Sequence, residues 1–551
     1  MAKRKKPGEN DFDTSPAAIN QWIADLPIIN TGKTRELLGQ ALEEINTLDI
    51  KPTDRYAAVE LLSVPVLCVS GALKNEILGK HVPLLEKDLA KARHCLELYS
   101  QMATAYGIMA ADLGRRSGKK QQLATAIHRA LRYSSESLLT NYQIYLQYPA
   151  GLWKSIHTLY TAAEKEGLAK TVVNDTTLPS PASSTIETVY KQILLLSLAN
   201  PYRLRQKEIQ HVYSSLLDWA TETRLKSVND KQDNGLFASN LLSDDPPSYR
   251  LLNSSSQPNE YQRILDTSSM ASMLGAAVAE NDTDAGRAAI GISDKDTLRR
   301  LMLAWGVMPK RRFSRHQAAT PVKLIIGLDS IHRLAEESTL ETILQPPVTA
   351  GEVAEGEALQ DPTFENVTSI RTLPLNGIGK DGPLHNNAAP GTAAPAQIEA
   401  WKVADMSAGG YCLLCDSADP TSARVGELVA VRFPGDNGTQ DWHLGVIRRI
   451  KFTRERGLEL GLQMLSPGAR PVWTRICRDD ISSTNRMKGI LLPEMKSLKQ
   501  AASLVLPALP FRVGCTSTLE YKGEKETIVL TQQLENTGIF GQYHFTRAKT
   551  P

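Results

Sequence analysis

Two short stretches of this chain hold residue types at a spacing suited to binding a charged, planar ligand. The first is Lys310-Arg311-Arg312-Phe313-Ser314-Arg315, and the second, ninety residues on, is Asp405-Met406-Ser407-Ala408-Gly409-Gly410. A guanidinium is flat and permanently charged, so it grips a phosphate or a guanine O6/N7 edge with two parallel hydrogen bonds and also stacks on a base. Arg311 and Arg315, four residues apart, can wrap one ligand between them. Arg312 and Lys310 add positive potential, though basic residues here equally suit a solvated linker face. In the second stretch Asp405 is acceptor-only when ionised, Ser407 donates or accepts, and Gly410 lets the backbone turn sharply and approach a ligand.

Other chemistries find less support. Cys412 and Cys415 have the CxxC spacing of a metal or redox pair, but they lie in an apolar, strand-like run with no second cysteine pair near them. Gly32-Lys33-Thr34 resembles the tail of a phosphate-binding loop, yet Pro27 stands where the glycine five residues earlier is required, so the segment reads as a helix start. Asp282, Asp284 and Gly286 lack the remaining ligands of a calcium loop. The ten histidines show no metal spacing, and no nucleophile and base occur in a recognisable context. The expectation is a binding protein with no catalytic residue, no metal and no cofactor.

Length and composition set the frame for these stretches. A chain of 551 residues exceeds one hydrophobic core and implies about three domains. Its net charge of +3 offers no global case for binding DNA or RNA, so any basic site is local. Six cysteines do not make a disulfide framework and point to a reducing cytoplasm. The basic N-terminus runs into Gly8-Glu9-Asn10-Asp11 rather than an apolar segment, and the apolar run Ala57 to Leu73 contains Glu60, Ser63, Pro65 and Ser70; it reads as a buried helix rather than a membrane span.

Residues 1–14 read as a solvated tail and 15–225 as a helical domain, a bundle or short solenoid. Thr31 is a plausible N-cap for a helix carrying Leu38, Leu42 and Ile45, and further helices are expected near 54–78, 83–115, 121–146, 150–168, 183–199 and 202–225. Trp153, Ile156, Tyr160 and Ala163 resemble the first helix of a tetratricopeptide hairpin, without a second copy at that period. Residues 226–305 read as a linker rich in turn formers followed by helices near 263–280 and 294–305, the second opened by Ser293 and Asp296.

After Met308-Pro309 the character changes to short strands. Pro321 to Gly327 is rich in β-branched residues, and strands resume at Trp401 and continue at Tyr411–Cys415, Val425–Phe433, Trp442–Phe452 and Leu458–Leu465, the last with strict alternation. Between them, 330–398 reads as a flexible insertion, dense in Gly, Pro and Ala. Short strands with turns between them argue for a small antiparallel barrel over 306–478. Residues 479–551 have the same texture and read as a β extension or a second small β-domain.

The pairing of RxxxR on the segment entering a barrel with [D/N]xSxxG on a barrel strand resembles the ligand signature of the PilZ family. The flanks Pro321-Val322-Lys323-Leu324 and Gly461-Leu462-Gln463-Met464 resemble that family's pattern as well. The resemblance covers about 309–475, leaves the helical half unexplained, and departs from the family in the length of the insertion. It implies a small antiparallel β-barrel of PilZ type that acts as a receptor; with the all-α N-terminal domain and the further β segment read from the pattern, the fold class is multi-domain. It also implies cyclic di-GMP as ligand, held by Arg311, Arg312, Arg315, Asp405, Ser407 and Gly410, with Asp405 facing the N–H donors of guanine. The implied setting is bacterial surface motility, type IV pili or biofilm control, with an unidentified protein partner engaged by the helices. The alternative is a structural adaptor whose barrel binds no nucleotide and whose helices are the interaction platform.

Overall fold

The computed structural model describes residues 4–8, 11–115, 119–175, 183–228, 235–250, 259–280, 295–306, 314, 316–337, 397–407, 409–417, 419–434, 442–476, 486–495 and 500–548. The expected insertion at 330–398 is described only at its two ends, and the Asp282 to Gly286 turn and the Ser293 cap lie outside the described residues.

The N-terminal half is helical: α1 (Pro16–Ala24), α2 (Thr31–Thr47), α3 (Pro52–Ile77), α4 (Glu86–Leu113), α5 (Lys120–Gln143), α6 (Leu152–Lys165), α7 (Ile186–Leu198) and α8 (Gln206–Trp219), with a short antiparallel pair, β1 (Val172–Asn174) and β2 (Ser183–Thr185), between α6 and α7. The cap of α2 differs from expectation. Asn30, not Thr31, is the N-cap, and its Oδ1 accepts from the Lys33 N–H at 3.0 Å.

Helix α5 is the bundle's axis, buried nearly all round from Leu123 to Gln143. Such burial forces its polar groups to find partners. Arg132 donates to Gln192 at 2.8 Å, Ser135 to Tyr213 at 2.9 Å and Gln143 to Gln210 at 3.0 Å, which fix α5 against α7 and α8. The apolar α3, 26 residues long, passes the length and hydropathy test for a membrane span. Half of its most apolar window is buried in the protein, where Leu62, Val66, Val69 and Leu73 join the bundle core.

The stretch expected to be a linker contains a sheet. β3 (Arg224–Ser227), β4 (Phe237–Asn240), β5 (Ser248–Tyr249) and β6 (Gln262–Asp266) pair in the order β3-β6-β4-β5, so the first expected helix begins only after β6. That helix, α9 (Ser268–Glu280), pairs with α10 (Lys295–Gly306). Trp305 of α10 is fully buried, donates its indole N–H to the Leu195 carbonyl at 3.1 Å and meets Trp219 edge to face, so the hairpin is fastened to the bundle.

Two six-stranded antiparallel barrels follow. The first contains β8 (Pro321–Ile326), β9 (Glu399–Ser407), β10 (Gly410–Cys415), β11 (Leu428–Arg432), β12 (Trp442–Thr453) and β13 (Gly457–Ser466), closed in the order β8-β9-β10-β13-β12-β11 back to β8. A two-residue strand, β7 (His316–Gln317), lies along the free edge of β9. The second barrel contains β14 (Arg470–Ile476), β15 (Met487–Leu492), β16 (Ser503–Pro507), β17 (Thr516–Tyr521), β18 (Glu524–Asn536) and β19 (Phe540–Arg547). The boundary expected at 478 thus falls beyond this barrel's first strand.

Helix α11 (Leu328–Glu337) wedges between the barrels. Its buried His332 reaches the Val472 carbonyl at 3.0 Å, and Ile331 packs with Leu428 and Val446 of the first barrel and Ile490 and Phe540 of the second. The first barrel is also tied to the bundle by main-chain bonds. Phe452 donates to the Tyr145 carbonyl at 2.7 Å, Gln147 donates to Phe452 at 3.0 Å, and Thr421 donates to Val82 at 2.9 Å. Paired main-chain bonds of this kind fix orientation as well as proximity, and the two at Phe452 hold β12.

Candidate functional site

Strand β9 positions the second motif. Trp401 and Val403 point into the barrel and are buried. Between Val403 and Asp405 the register slips against β10: Leu413 pairs with Val403 but Cys412 pairs with Asp405, leaving Ala404 as the extra residue. A bulge of this kind re-aims the side chains beyond it. Asp405 and Ser407 are half-buried on β9.

The strand then reverses within two residues, Ser407 opposite Gly410. The Ser407 hydroxyl donates to the Gly410 carbonyl at 3.3 Å, and the Gly409 carbonyl accepts from the Met464 N–H at 3.2 Å. Gly410 also has a packing job that its sequence context did not imply. A Cβ there would lie 2.0 Å from the Leu462 carbonyl oxygen, so the close approach of β13 requires a glycine.

Directly paired residues of antiparallel strands put their side chains on one face. The registers therefore define an outward row of Gln317, Asp405, Cys412, Gly461 and Arg449, and beside it a second row of Ser407, Gly410 and Gln463. The floor between these polar groups is made of Gly410, Cys412 and Gly461, none with bulk. A flat ligand laid on this face meets acceptors at one side and cationic groups at the other.

Arg448 sits at that cationic side. It is the extra residue of a second bulge, since Ile447 pairs with Leu462 and Arg449 with Gly461. Its Nε donates to Gln463 Oε1 at 2.7 Å, while its Nη groups clasp both oxygens of Glu535 in the second barrel, Nη2 to Oε2 at 2.8 Å. Arg449 approaches Glu459 at 3.6 Å, and burial together with the Arg449 charge lowers the pKa of Lys451 nearby. On the opposite face, Tyr411 packs against Phe433 at 5.0 Å between ring centres and closes the barrel interior; burial raises its phenol pKa.

The first motif reaches the same face from the other direction. Arg311, Arg312 and Arg315 lie outside the described residues. The chain is described again at His316 and Gln317, which pair with Met406 and Asp405, and the Ala318 N–H donates to the Ala404 carbonyl at 3.2 Å. The residue that follows Arg315 is thus already beside the Asp405 motif. Sequence reasoning did not find Arg448 or Arg449, and it named Gly461 and Gln463 only as part of a flank and not as site residues. The alternation of Leu458 to Met464 showed which of these face outward, but only the strand register shows which neighbours they meet.

Comparison with known proteins accounts for nearly the whole chain. Residues 17–231 match the N-terminal domain of the cyclic-di-GMP receptor FimW, residues 236–471 its middle PilZ domain, and residues 472–548 its C-terminal β-barrel domain. The cyclic-di-GMP receptor FimW of Pseudomonas aeruginosa is 28% identical over 560 aligned residues, which cover 98% of this chain and 91% of that protein. No solved structure matches. The likeness therefore extends through the helical half, beyond the stretch that the two motifs cover.

Proposed function

Because the chain belongs to the PilZ family through its middle domain, with FimW-type domains on both sides, we propose that it is a receptor for cyclic di-GMP that passes the level of this messenger to a protein partner. Binding, not catalysis, is its activity. What supports this reading most directly is the β7–β9 pairing, which brings the chain leaving Arg315 alongside Asp405.

In this reading the dinucleotide lies on the outward face of the first barrel. Arg311, Arg312 and Arg315 take its phosphates and guanine acceptor edges, and Asp405 and Ser407 take guanine N–H groups. Gly410 keeps β10 close to β13 so that the floor stays open. Because β12 borders this face and is bonded to the bundle through Phe452, ligand-induced ordering is felt in the helical domain. The helices form the partner platform, where Val64 on α3 and Ile28 and Ile29 before α2 leave apolar side chains exposed. The site of action is the cytoplasm, and the process is surface motility, type IV pilus function or biofilm control.

The adaptor reading has one observation in its favour: Ser407 and Gly410 each have a structural role without a ligand, the first in the turn and the second in strand packing. Calorimetric titration of the full chain with cyclic di-GMP separates the two. Saturable binding that is lost in Arg315→Ala and weakened in Ser407→Ala supports the receptor; no heat from the intact chain leaves the adaptor.

A further inference from the structure

Four arginines converge where the helical bundle, α10 and both barrels meet. Arg203 and Arg205 come from the turn before α8, Arg300 from α10 and Arg448 from β12; with Asp296, Val425, Gly426 and Thr537 they line a cleft of about 40 Å³. Three of the four have their charge met. Arg205 pairs with Glu208 at 3.2 Å and also donates to the Thr537 carbonyl; Arg300 meets Glu208 at 3.0 Å and Asp296 at 2.9 Å; Arg448 holds Glu535.

Arg203 is the exception. Among the described residues its guanidinium has neither a carboxylate within ion-pair distance nor a hydrogen-bond acceptor, while its own carbonyl accepts from Arg300 at 3.1 Å. Arg203 is exposed and open to solvent, its charged neighbours are Arg448, Arg300 and Arg449, and packing around its guanidinium together with these like charges lowers its pKa. Gathering cations at a domain junction costs Coulomb energy, which the three carboxylates relieve for the others while Arg203 has solvent alone. The cleft is too small for a nucleotide base and has room for one compact group.

We propose that this cleft binds a phosphate group, gripped by Arg203 with Arg300 and Arg448 beside it. A tetrahedral oxyanion supplies the missing negative charge and several acceptors for planar guanidinium forks. Such an anion would stiffen the junction of the bundle with α10 and the first barrel, because its ligands come from these three elements. The group belongs either to free inorganic phosphate or to a nucleotide reaching over from the barrel face beyond Gln463. The proposal stands whether or not that face takes cyclic di-GMP.

The test is calorimetry on the full chain with inorganic phosphate at constant ionic strength, in parallel with Arg203→Gln and Arg203→Lys. Saturable heat with phosphate is expected, weakened at least tenfold in Arg203→Gln and less in Arg203→Lys, which keeps the charge but loses the fork. If Arg203→Gln does not fold, a loss of affinity in Arg203→Lys carries the test. Cyclic di-GMP is then titrated with and without saturating phosphate. Competition identifies the nucleotide's own phosphate as the natural occupant, and independent binding identifies the free oxyanion. Absence of saturable phosphate heat together with unchanged dinucleotide affinity in Arg203→Gln overturns the site, as does phosphate binding that Arg203→Gln leaves intact.

Discussion

Gln317 stands directly opposite Asp405 in the β7–β9 ladder, two residues after Arg315. The two halves of the PilZ-like signature are ninety residues apart in sequence, and the chain that follows the first is thus paired with the strand that carries the second. A ladder two residues long at a sheet edge belongs to the low-stability end of a fold's opening events. A ligand that grips both halves must close it further.

This pairing predicts a local exchange effect. Saturating cyclic di-GMP is expected to slow hydrogen exchange at the Ala318 amide, which donates to Ala404 at 3.2 Å, by about tenfold or more. Arg315→Ala should abolish the slowing. Binding with unchanged exchange at residues 316–318 would show that the dinucleotide does not use the β7 pairing.

Gly410 offers a packing test. A Cβ at this position would sit 2.0 Å from the Leu462 carbonyl, a backbone atom that cannot swing aside. Gly410→Ala is expected to cost ~3 kcal/mol of first-barrel stability. By contrast, Gly39→Ala in α2, where nothing lies within 4 Å of the added carbon, should gain ~0.5–1 kcal/mol from helix propensity. Denaturant melts of both variants decide it, and a wild-type melt for Gly410→Ala would remove the strand-packing role.

Much of this fold was legible because its signals are local. Caps, prolines and apolar periodicity mark the bundle helices, and alternation from Leu458 to Met464 marks a barrel strand. The motif residues Asp405, Ser407 and Gly410 were legible as types and spacing. What was not legible is pairing. Strands β3 to β6 lie in a segment whose Asn, Asp, Pro and Ser content signals turns, and only tertiary contacts such as Phe237 against Tyr249 at 4.7 Å make them a sheet. The same holds for Gln463 and Arg448, whose place beside Gly410 depends on two bulges that composition does not reveal.

The bond between barrels is open to a double-mutant cycle. Arg448 holds Glu535 with two Nη groups, and both side chains are partly sheltered, at 26% and 16% exposure. Two-pronged, partly buried pairs exceed the usual surface pair, so Arg448→Met, Glu535→Leu and the double variant should return a coupling of ~1–2 kcal/mol that shrinks in high salt. A coupling near zero would mean that the barrels are held by the Ile331, Leu428 and Phe540 packing alone.

The bundle should lose stability on acidification through His128. This residue is fully buried on α5, with Nε2 2.7 Å from Ser184 Oγ, and burial depresses its pKa to about 4 from the ordinary 6.5. The folded state therefore keeps a neutral imidazole in a range where the unfolded chain has already taken up a proton. Between pH 6.5 and about 4 the unfolded state binds more protons, so stability falls as pH falls. The stability linked to the neutral ring is fully present above 6.5 and is lost by about 4. A shift of this size corresponds to ~3 kcal/mol. Melting the wild type and His128→Gln across this range checks it: the wild-type midpoint should fall more steeply, and parallel curves would show that His128 is not the group responsible. His94, His157 and His332, whose pKa values burial also lowers, remain in both proteins and contribute to the residual slope.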